Sequence, residues 1–259
     1  MQRVLFHSTI FGPIHSRRLG TSLGVNLMPN DGKICSFDCL YCEAGFNAQG
    51  PGTTGIPPRE SVRTQLESKL SGMKENGERL DVITFSGNGE PTLHPDFEGV
   101  IDDTVALRDT YFPGVKISVL TNATRLGDAG VAAALRKVDN NIMKLDSAVP
   151  ATVRLLDRPA PGYDLGKTIE RIASFGAGGI VQTMITRGMH DGVAVDNSTD
   201  AEVEALIEAY RAIRPGEIML YTIDRQTPEQ SLVRVPREEL ESIAARITSA
   251  TGIPVQVSA

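Results

Sequence analysis

Among 259 residues there is no tryptophan, and there are only three cysteines and four histidines. Three is an odd count, whereas a disulfide framework wants an even one in a secreted chain, so paired cysteines are excluded as the organising device. Aromatic residues make up 5% of the chain, too few for a platform on which bases stack. Cations are outnumbered: 26 lysines and arginines face 32 aspartates and glutamates, a net charge of −6. Binding a phosphate backbone needs clustered Lys and Arg, and the longest basic feature is Arg17-Arg18. Charge therefore speaks against a nucleic-acid partner without excluding one local patch. No apolar run approaches the roughly 18 residues of a membrane span. The opening MQRVLFHSTIFGP has no basic segment leading into an apolar run of secretory length. The expectation is a cytoplasmic protein with no membrane partner.

What is present is a regular alternation. Short apolar runs occur at 22–28, 81–87, 116–122, 141–147, 179–185 and 217–223. They are partly β-branched and end in polar residues, which reads as buried parallel strands. Amphipathic stretches lie between them: Val62, Leu66, Leu70 and Met73; Phe97, Val100 and Ile101; Val131, Leu135 and Val138; Leu165, Ile169 and Ile172; Val203, Leu206, Ile207 and Tyr210; Leu240, Ile243 and Ile247. Thr199 and Glu202 stand at capping-box spacing before the fifth, and Gly252 suits the end of the sixth. Residues 253–257 suit a last short strand. Six strand–helix units imply right-handed crossovers but fall short of the eight of a closed barrel. The predicted fold is α/β, a partial (βα)6 barrel of TIM type, as a single domain over 1–259. Two loops, 45–58 and 187–198, are candidate lids.

All three cysteines fall in one loop, KICSFDCLYCEAG (33–45), as Cys35, Cys39 and Cys42. The loop follows the first strand, at the end of the sheet that carries active sites in barrel folds. Thiolates at CxxxCxxC can hold three corners of a four-iron four-sulfur cluster and leave the fourth iron open. An electron carrier gains nothing from an open iron, but an enzyme can bind a cofactor there. A zinc site of three cysteines and a histidine, with His15 nearest in sequence, competes with this reading, as does chance clustering of buried thiols.

The cysteine pattern, with Tyr41 before the third cysteine, resembles the signature of the radical S-adenosylmethionine (SAM) superfamily. Gly87-Asn88-Gly89-Glu90-Pro91 resembles that superfamily's Gly-Gly-Glu-Pro motif with an asparagine interposed. Glycines let backbone come close to a ligand, and a carboxylate with carbonyls can receive an ammonium group. Residues 11–26, 119–124, 144–147, 156–175 and 213–231 resemble, in order, segments of a short branch related to wyosine-type tRNA-modifying enzymes. Ala123 stands where that branch shows glycine, and Glu43-Ala44 departs from its Gln-Leu.

The resemblance implies one [4Fe-4S] cluster on Cys35, Cys39 and Cys42, and S-adenosylmethionine held by Tyr41, Gly87, Asn88, Gly89, Glu90, Pro91, Asn122, Asp146 and Gln182. An external one-electron reductant of flavodoxin or ferredoxin type is implied as partner. The cleaved cofactor then yields methionine and a 5′-deoxyadenosyl radical that takes hydrogen from a substrate, a small molecule or a tRNA base, with the acidic charge favouring the small molecule. Wyosine-forming enzymes carry further cysteines for a second cluster, and this chain has none left. An activase that installs a glycyl radical on a protein partner is the alternative, followed by a non-enzymatic iron–sulfur or zinc protein. Asp146 suits ribose hydroxyls by analogy; its competing role is to pair with Lys144 or to cap a helix. Lys144 shares a strand face with Asp146 and suits a substrate carboxylate or phosphate. Arg17 and Arg18 suit an anionic substrate or surface ion pairs. His94 reads as a turn residue, His190 as a solvated loop residue, and Tyr221 as an adenine contact or core.

Overall fold

The structure, a computed structural model, describes residues 3–16 and 19–259. Strands are β1 (Ile10–Ser16), β2 (Gly20–Val25), β3 (Val82–Phe85), β4 (Lys116–Thr121), β5 (Asn140–Lys144), β6 (Gly179–Met184), β7 (Thr186–His190), β8 (Val193–Asp196), β9 (Glu217–Tyr221), β10 (Val233–Arg234) and β11 (Val255–Ser258). Helices are α1 (Arg59–Glu75), α2 (Phe97–Tyr111), α3 (Ala129–Leu135), α4 (Pro150–Leu156), α5 (Leu165–Ala173), α6 (Asp200–Ile213) and α7 (Arg237–Thr251).

The main sheet runs β1-β2-β3-β4-β5-β6-β9-β11. From β2 onward each neighbouring pair is parallel, and the sheet curls into an open part-barrel, as the alternation predicts. The central strands are covered on both faces: all four residues of β3, VITF, are buried. The helices close the outside with the expected stripes, Val62, Leu66, Leu70 and Met73 on α1 and Val203, Leu206, Ile207 and Tyr210 on α6. The Thr199 side chain caps α6 by accepting from Glu202 N. Gly252, with φ of 71°, ends α7 in the left-handed conformation that glycine adopts freely. The short strand expected at 253–257 is β11.

Four features depart from the sequence reading. The first parallel strand stops at Val25 rather than residue 28, because the Asn26 side chain bonds Met28 N at 3.2 Å and Met28 O at 3.0 Å and turns the chain. An antiparallel strand, β1, precedes it and pairs with β2; its Gly-Pro interruption hides the alternation. Helix α4 buries only Val153 and Leu156, too few apolar positions to show a period. The segment 187–198, expected as a loop, is a hairpin: β7 and β8 are joined by Asp191-Gly192, with φ of 48° and 79°. Positive φ at both positions is the type I′ geometry that Asp-Gly favours. With β10 the hairpin forms a separate three-stranded sheet. Residues 45–58 remain irregular apart from a single 3-10 turn at Asn47–Gln49. Among the described residues, no helix is long and apolar enough to cross a membrane.

Candidate active site

Between β2 and α1 the chain runs over 26–58 with no α-helix or named strand, only the 3-10 turn at Asn47–Gln49, and this segment carries the cysteines. It is fastened to the turn after β3. Ile34 forms a parallel bridge with Gly89: Ile34 N donates to Asn88 O at 3.2 Å, and Glu90 N donates to Ile34 O at 3.0 Å. A Cβ on Gly89 would overlap the Ile34 carbonyl, and one on Gly87 would lie 2.5 Å from Asn26 Oδ1. The two glycines have φ of 141° and 146°, so they serve close approach of the protein to itself, a use the sequence reading assigned to a ligand. Asn88 is completely buried. Its amide donates to Phe6 O and Pro29 O and accepts from Phe6 N at 2.9 Å. That side chain anchors the N-terminal segment and the cysteine loop.

Within the loop, Cys42 N donates to Cys39 O and Gly45 N to Cys42 O, two successive tight turns. Cys39 is buried, and Cys35 and Cys42 are half-buried. Burial, with Glu90 adding, pushes the Cys35 thiol up to about 12, and burial pushes Cys39 well above its ordinary value. Lys33, which the sequence reading passed over, is buried among them, with Nζ 2.8 Å from Gly45 O and 3.5 Å from Asp38. Burial pulls its ammonium toward neutrality, but Cys42, Cys35, Cys39 and Asp38 outweigh that and hold it above its ordinary value. A lysine two residues before the first cysteine was the visible signal.

The donor set fits a cluster. Three thiols sit in one loop, a buried ammonium stands by to balance thiolate charge, and a cluster takes each thiolate at its own corner. Among the described residues, no three His, Cys, Asp or Glu side chains converge on a position fit for one metal ion.

Glu90 is 2% exposed. Its Oε1 accepts from Thr92 N, Thr92 Oγ1 and Thr121 Oγ1, and its Oε2 accepts from Asn122 N at 2.7 Å. Burial raises its carboxyl and these bonds oppose the rise. Pro91 opens a 3-10 turn that Glu90 caps. Asn122, at the end of β4, turns its amide onto Cys35: Nδ2 lies 3.6 Å from Cys35 Sγ and 2.9 Å from Ser36 Oγ. Ala123, which follows, has φ of 65°; that left-handed backbone explains why glycine is usual in the pattern it departs from.

Beside Cys42, the Tyr41 hydroxyl donates to Asp146 Oδ2 and accepts from Lys144 Nζ. Lys144 also pairs with Asp146 and lies 2.8 Å from Asp157 Oδ1. Asp146 Oδ1 accepts from Met184 N at 2.9 Å. Two carboxylates thus share one ammonium away from water. Burial favours neutral Lys144, yet Asp146 and Asp157 hold it well above its ordinary value. Burial lifts Asp157 up to about 7 against the pull of Lys144. The structure places Lys144 in this network rather than open to a substrate anion. Asp157 was not singled out from sequence, since an aspartate after a short helix looks like any other.

Gln182 lies on β6, in register with Lys144 of β5 and Met219 of β9, and is 8% exposed. A cavity of about 250 Å3 opens next to Cys42, lined by Tyr41, Glu43, Met184, Tyr221 and Arg225 among others. Arg225 Nη1 donates to Glu43 Oε2 at 2.7 Å and ties the segment after β9 to the cysteine loop. Arg17 and Arg18 lie outside the described residues. His94 is the buried turn residue expected, bonded to Pro57 O at 2.8 Å. His190 is not solvated: it stands on β7 with Nδ1 2.7 Å from Glu229.

A family model described as the radical SAM superfamily matches residues 30–210. Among curated proteins, the chain is 27% identical over 252 residues to a protein of Brachyspira hyodysenteriae named GTPase Obg, covering 96% of this chain and 35% of that one. It is 28% identical to a UPF0026 protein of Helicobacter pylori, covering 83% and 66%, and 29% identical to one of Synechocystis, covering 95% of both. It thus spans about a third and just under two thirds of the first two. Among solved structures, a radical SAM methyltransferase from Sphaerobacter thermophilus shares the fold at 17% identity and a TM-score of 0.64, over 92% of this chain and 65% of that one. The protein anSMEcpe with bound AdoMet does so at 15% identity and a TM-score of 0.58, over 90% and 61%.

Proposed function

The chain belongs to the radical SAM superfamily, and from that premise we propose an enzyme that holds one [4Fe-4S] cluster on Cys35, Cys39 and Cys42 and acts on a small-molecule substrate. When bound, the cluster supplies an electron from an external reductant to S-adenosylmethionine, which splits into methionine and a hydrogen-abstracting 5′-deoxyadenosyl radical. The observation that carries the reading is the fastening of the cysteine loop onto residues 87–91, with Lys33 buried inside it.

In this reading Lys33 balances thiolate charge, and Asn122 steadies Cys35 through its amide. Among the described residues, Glu90 Oε2 accepts from Asn122 N alone, so it keeps acceptor capacity for the methionine ammonium beside the backbone of 87–91. Asn88 acts by holding that turn in place. Asp146 and Lys144 orient Tyr41 at the wall of the cavity beside Cys42, which suits the nucleoside with Tyr221 and Met184. Gln182 adds a polar group on the same sheet. Residues 45–58 cover the cysteine loop, and the hairpin of β7 and β8 forms part of the rim rather than a lid. The whole chain, 1–259, acts as one domain.

A GTPase reading is not carried over from the Brachyspira name. A phosphate-binding P-loop needs four residues between its glycines before Lys-Ser/Thr, and the nearest match here, Gly162 to Gly166-Lys167-Thr168, has three.

The test is anaerobic reconstitution followed by detection of 5′-deoxyadenosine with a chemical reductant, then product search across candidate substrate pools. Loss of the nucleoside in each of Cys35→Ala, Cys39→Ala and Cys42→Ala supports the reading. Its formation in any one of them removes it.

A further inference from the structure

Lys144 is committed to Asp146 and Asp157, so the cation that would meet an anionic substrate must be sought elsewhere. A second cavity, of about 390 Å3, opens on the other side of the cysteine loop, within the size range of small-molecule sites. Its charged lining is Arg125, Lys167 and Arg171 against one carboxylate, Asp164, in a chain whose net charge is −6. The local sign is therefore opposite to that of the whole molecule.

The three cations are incompletely matched. Arg171 makes no side-chain hydrogen bond or ion pair among the described residues. Its guanidinium lies against Gly127, where a Cβ would come within 2.7 Å of the guanidinium carbon; that glycine leaves it room at the cavity wall. Lys167 stands 3.8 Å from Asp164, a long contact across a solvated i,i+3 pair. Arg125 gives one nitrogen to Asp128 at 2.9 Å and keeps the rest of its fork. The far wall leads back to the site. Ser36 and Thr124 line the cavity. They share a hydrogen bond of 2.7 Å, and Ser36 accepts from the Asn122 amide that touches Cys35.

We propose that this cavity is the subsite for a phosphate group on the substrate, with the remainder of the molecule directed toward Ser36 and Thr124. Two guanidinium forks and one ammonium match a tetrahedral dianion with several acceptor oxygens better than they match a single planar carboxylate. The inference deepens the proposed function and rests on it for its consequence, not for its test, which reads binding without turnover.

The test is calorimetric titration of inorganic phosphate, and of acetate in parallel, into anaerobically reconstituted full-length protein. S-adenosylmethionine is titrated separately. The variants are Lys167→Ala/Arg171→Ala and, as a distant control, Arg246→Ala, whose side chain pairs with Asp200 and Glu204. Both target side chains are exposed, so folding is expected to survive; circular dichroism checks it. Each lost charge-assisted contact is worth about tenfold, so the double variant should bind phosphate at least about tenfold more weakly. The control and the cofactor affinity should be unchanged, and acetate should bind more weakly than phosphate. No phosphate binding by the wild type, equal binding by the double variant, or acetate binding as tight as phosphate overturns the assignment. A parallel loss of cofactor affinity also overturns it, because the cavity would then belong to the cofactor. Failure of cofactor cleavage itself would count against the proposed function and leave these titrations readable.

Discussion

At the residue scale, the site is held by side chains whose polar groups are turned inward, and this makes its weak points specific. Gly89 faces the Ile34 carbonyl with φ of 141°. Gly89→Ala would combine a backbone strain of about 1–3 kcal/mol with that overlap, so it should both lower the melting temperature and reduce iron uptake on reconstitution. A melting temperature equal to wild type would mean that the cysteine loop does not need this contact. Asp146→Ala should weaken S-adenosylmethionine binding, because Tyr41 loses its acceptor beside Cys42; an unchanged dissociation constant would leave Asp146 a purely structural residue.

Asp157 gives a pH signature. Its folded value of about 7 lies above the ordinary 3.8, so the folded protein holds that proton more tightly than the unfolded chain does. The resulting stability is present below about pH 4 and is lost as the pH rises through about 7. Asp157→Asn keeps the group neutral, so the loss of stability over that window should flatten in urea titrations at stepped pH. Parallel curves would show Asp157 ionised throughout. The cysteines and the turn at 87–91 were legible because their spacing is itself the chemistry. The pairing of Lys144 with Asp146, two residues apart on one strand face, was legible as the competing role of Asp146; the share of Asp157 was not, because only the fold brings a helix end to that strand end.

At the scale of elements, the strands and longer helices were readable from apolar period and caps. The misses have physical causes. Helix α4 buries only Val153 and Leu156, too few to display a period, and a strand interrupted by Gly-Pro does not alternate. The hairpin of β7 and β8 was readable in principle, from Asp191-Gly192 between two short runs, although 187–198 was expected as a loop. Helix α1 offers a test of helical propensity free of packing. Gly72 lies in its interior, and a Cβ there would meet nothing within 4 Å. Gly72→Ala should therefore stabilise the protein by about 0.5–1 kcal/mol, measured by urea denaturation. A destabilised variant would contradict the open space beside Gly72.

At the scale of the whole molecule, one open parallel sheet gathers the cysteine loop, residues 87–91, Asn122 and the Lys144 network at the carboxyl ends of its strands, where barrel-type folds place their chemistry. All three cysteines of the chain are in that loop, and thiolates are the usual cluster ligands. Iron and sulfide analysis should give about four irons per chain; about eight would require ligands this sequence does not have. The most direct measurement of the central claim is 5′-deoxyadenosine formation from S-adenosylmethionine by reconstituted, reduced protein. The account predicts the nucleoside in the wild type and none in any single variant of Cys35, Cys39 or Cys42. A fully iron-loaded wild type that forms none, or a single cysteine variant that still forms it, would contradict the account.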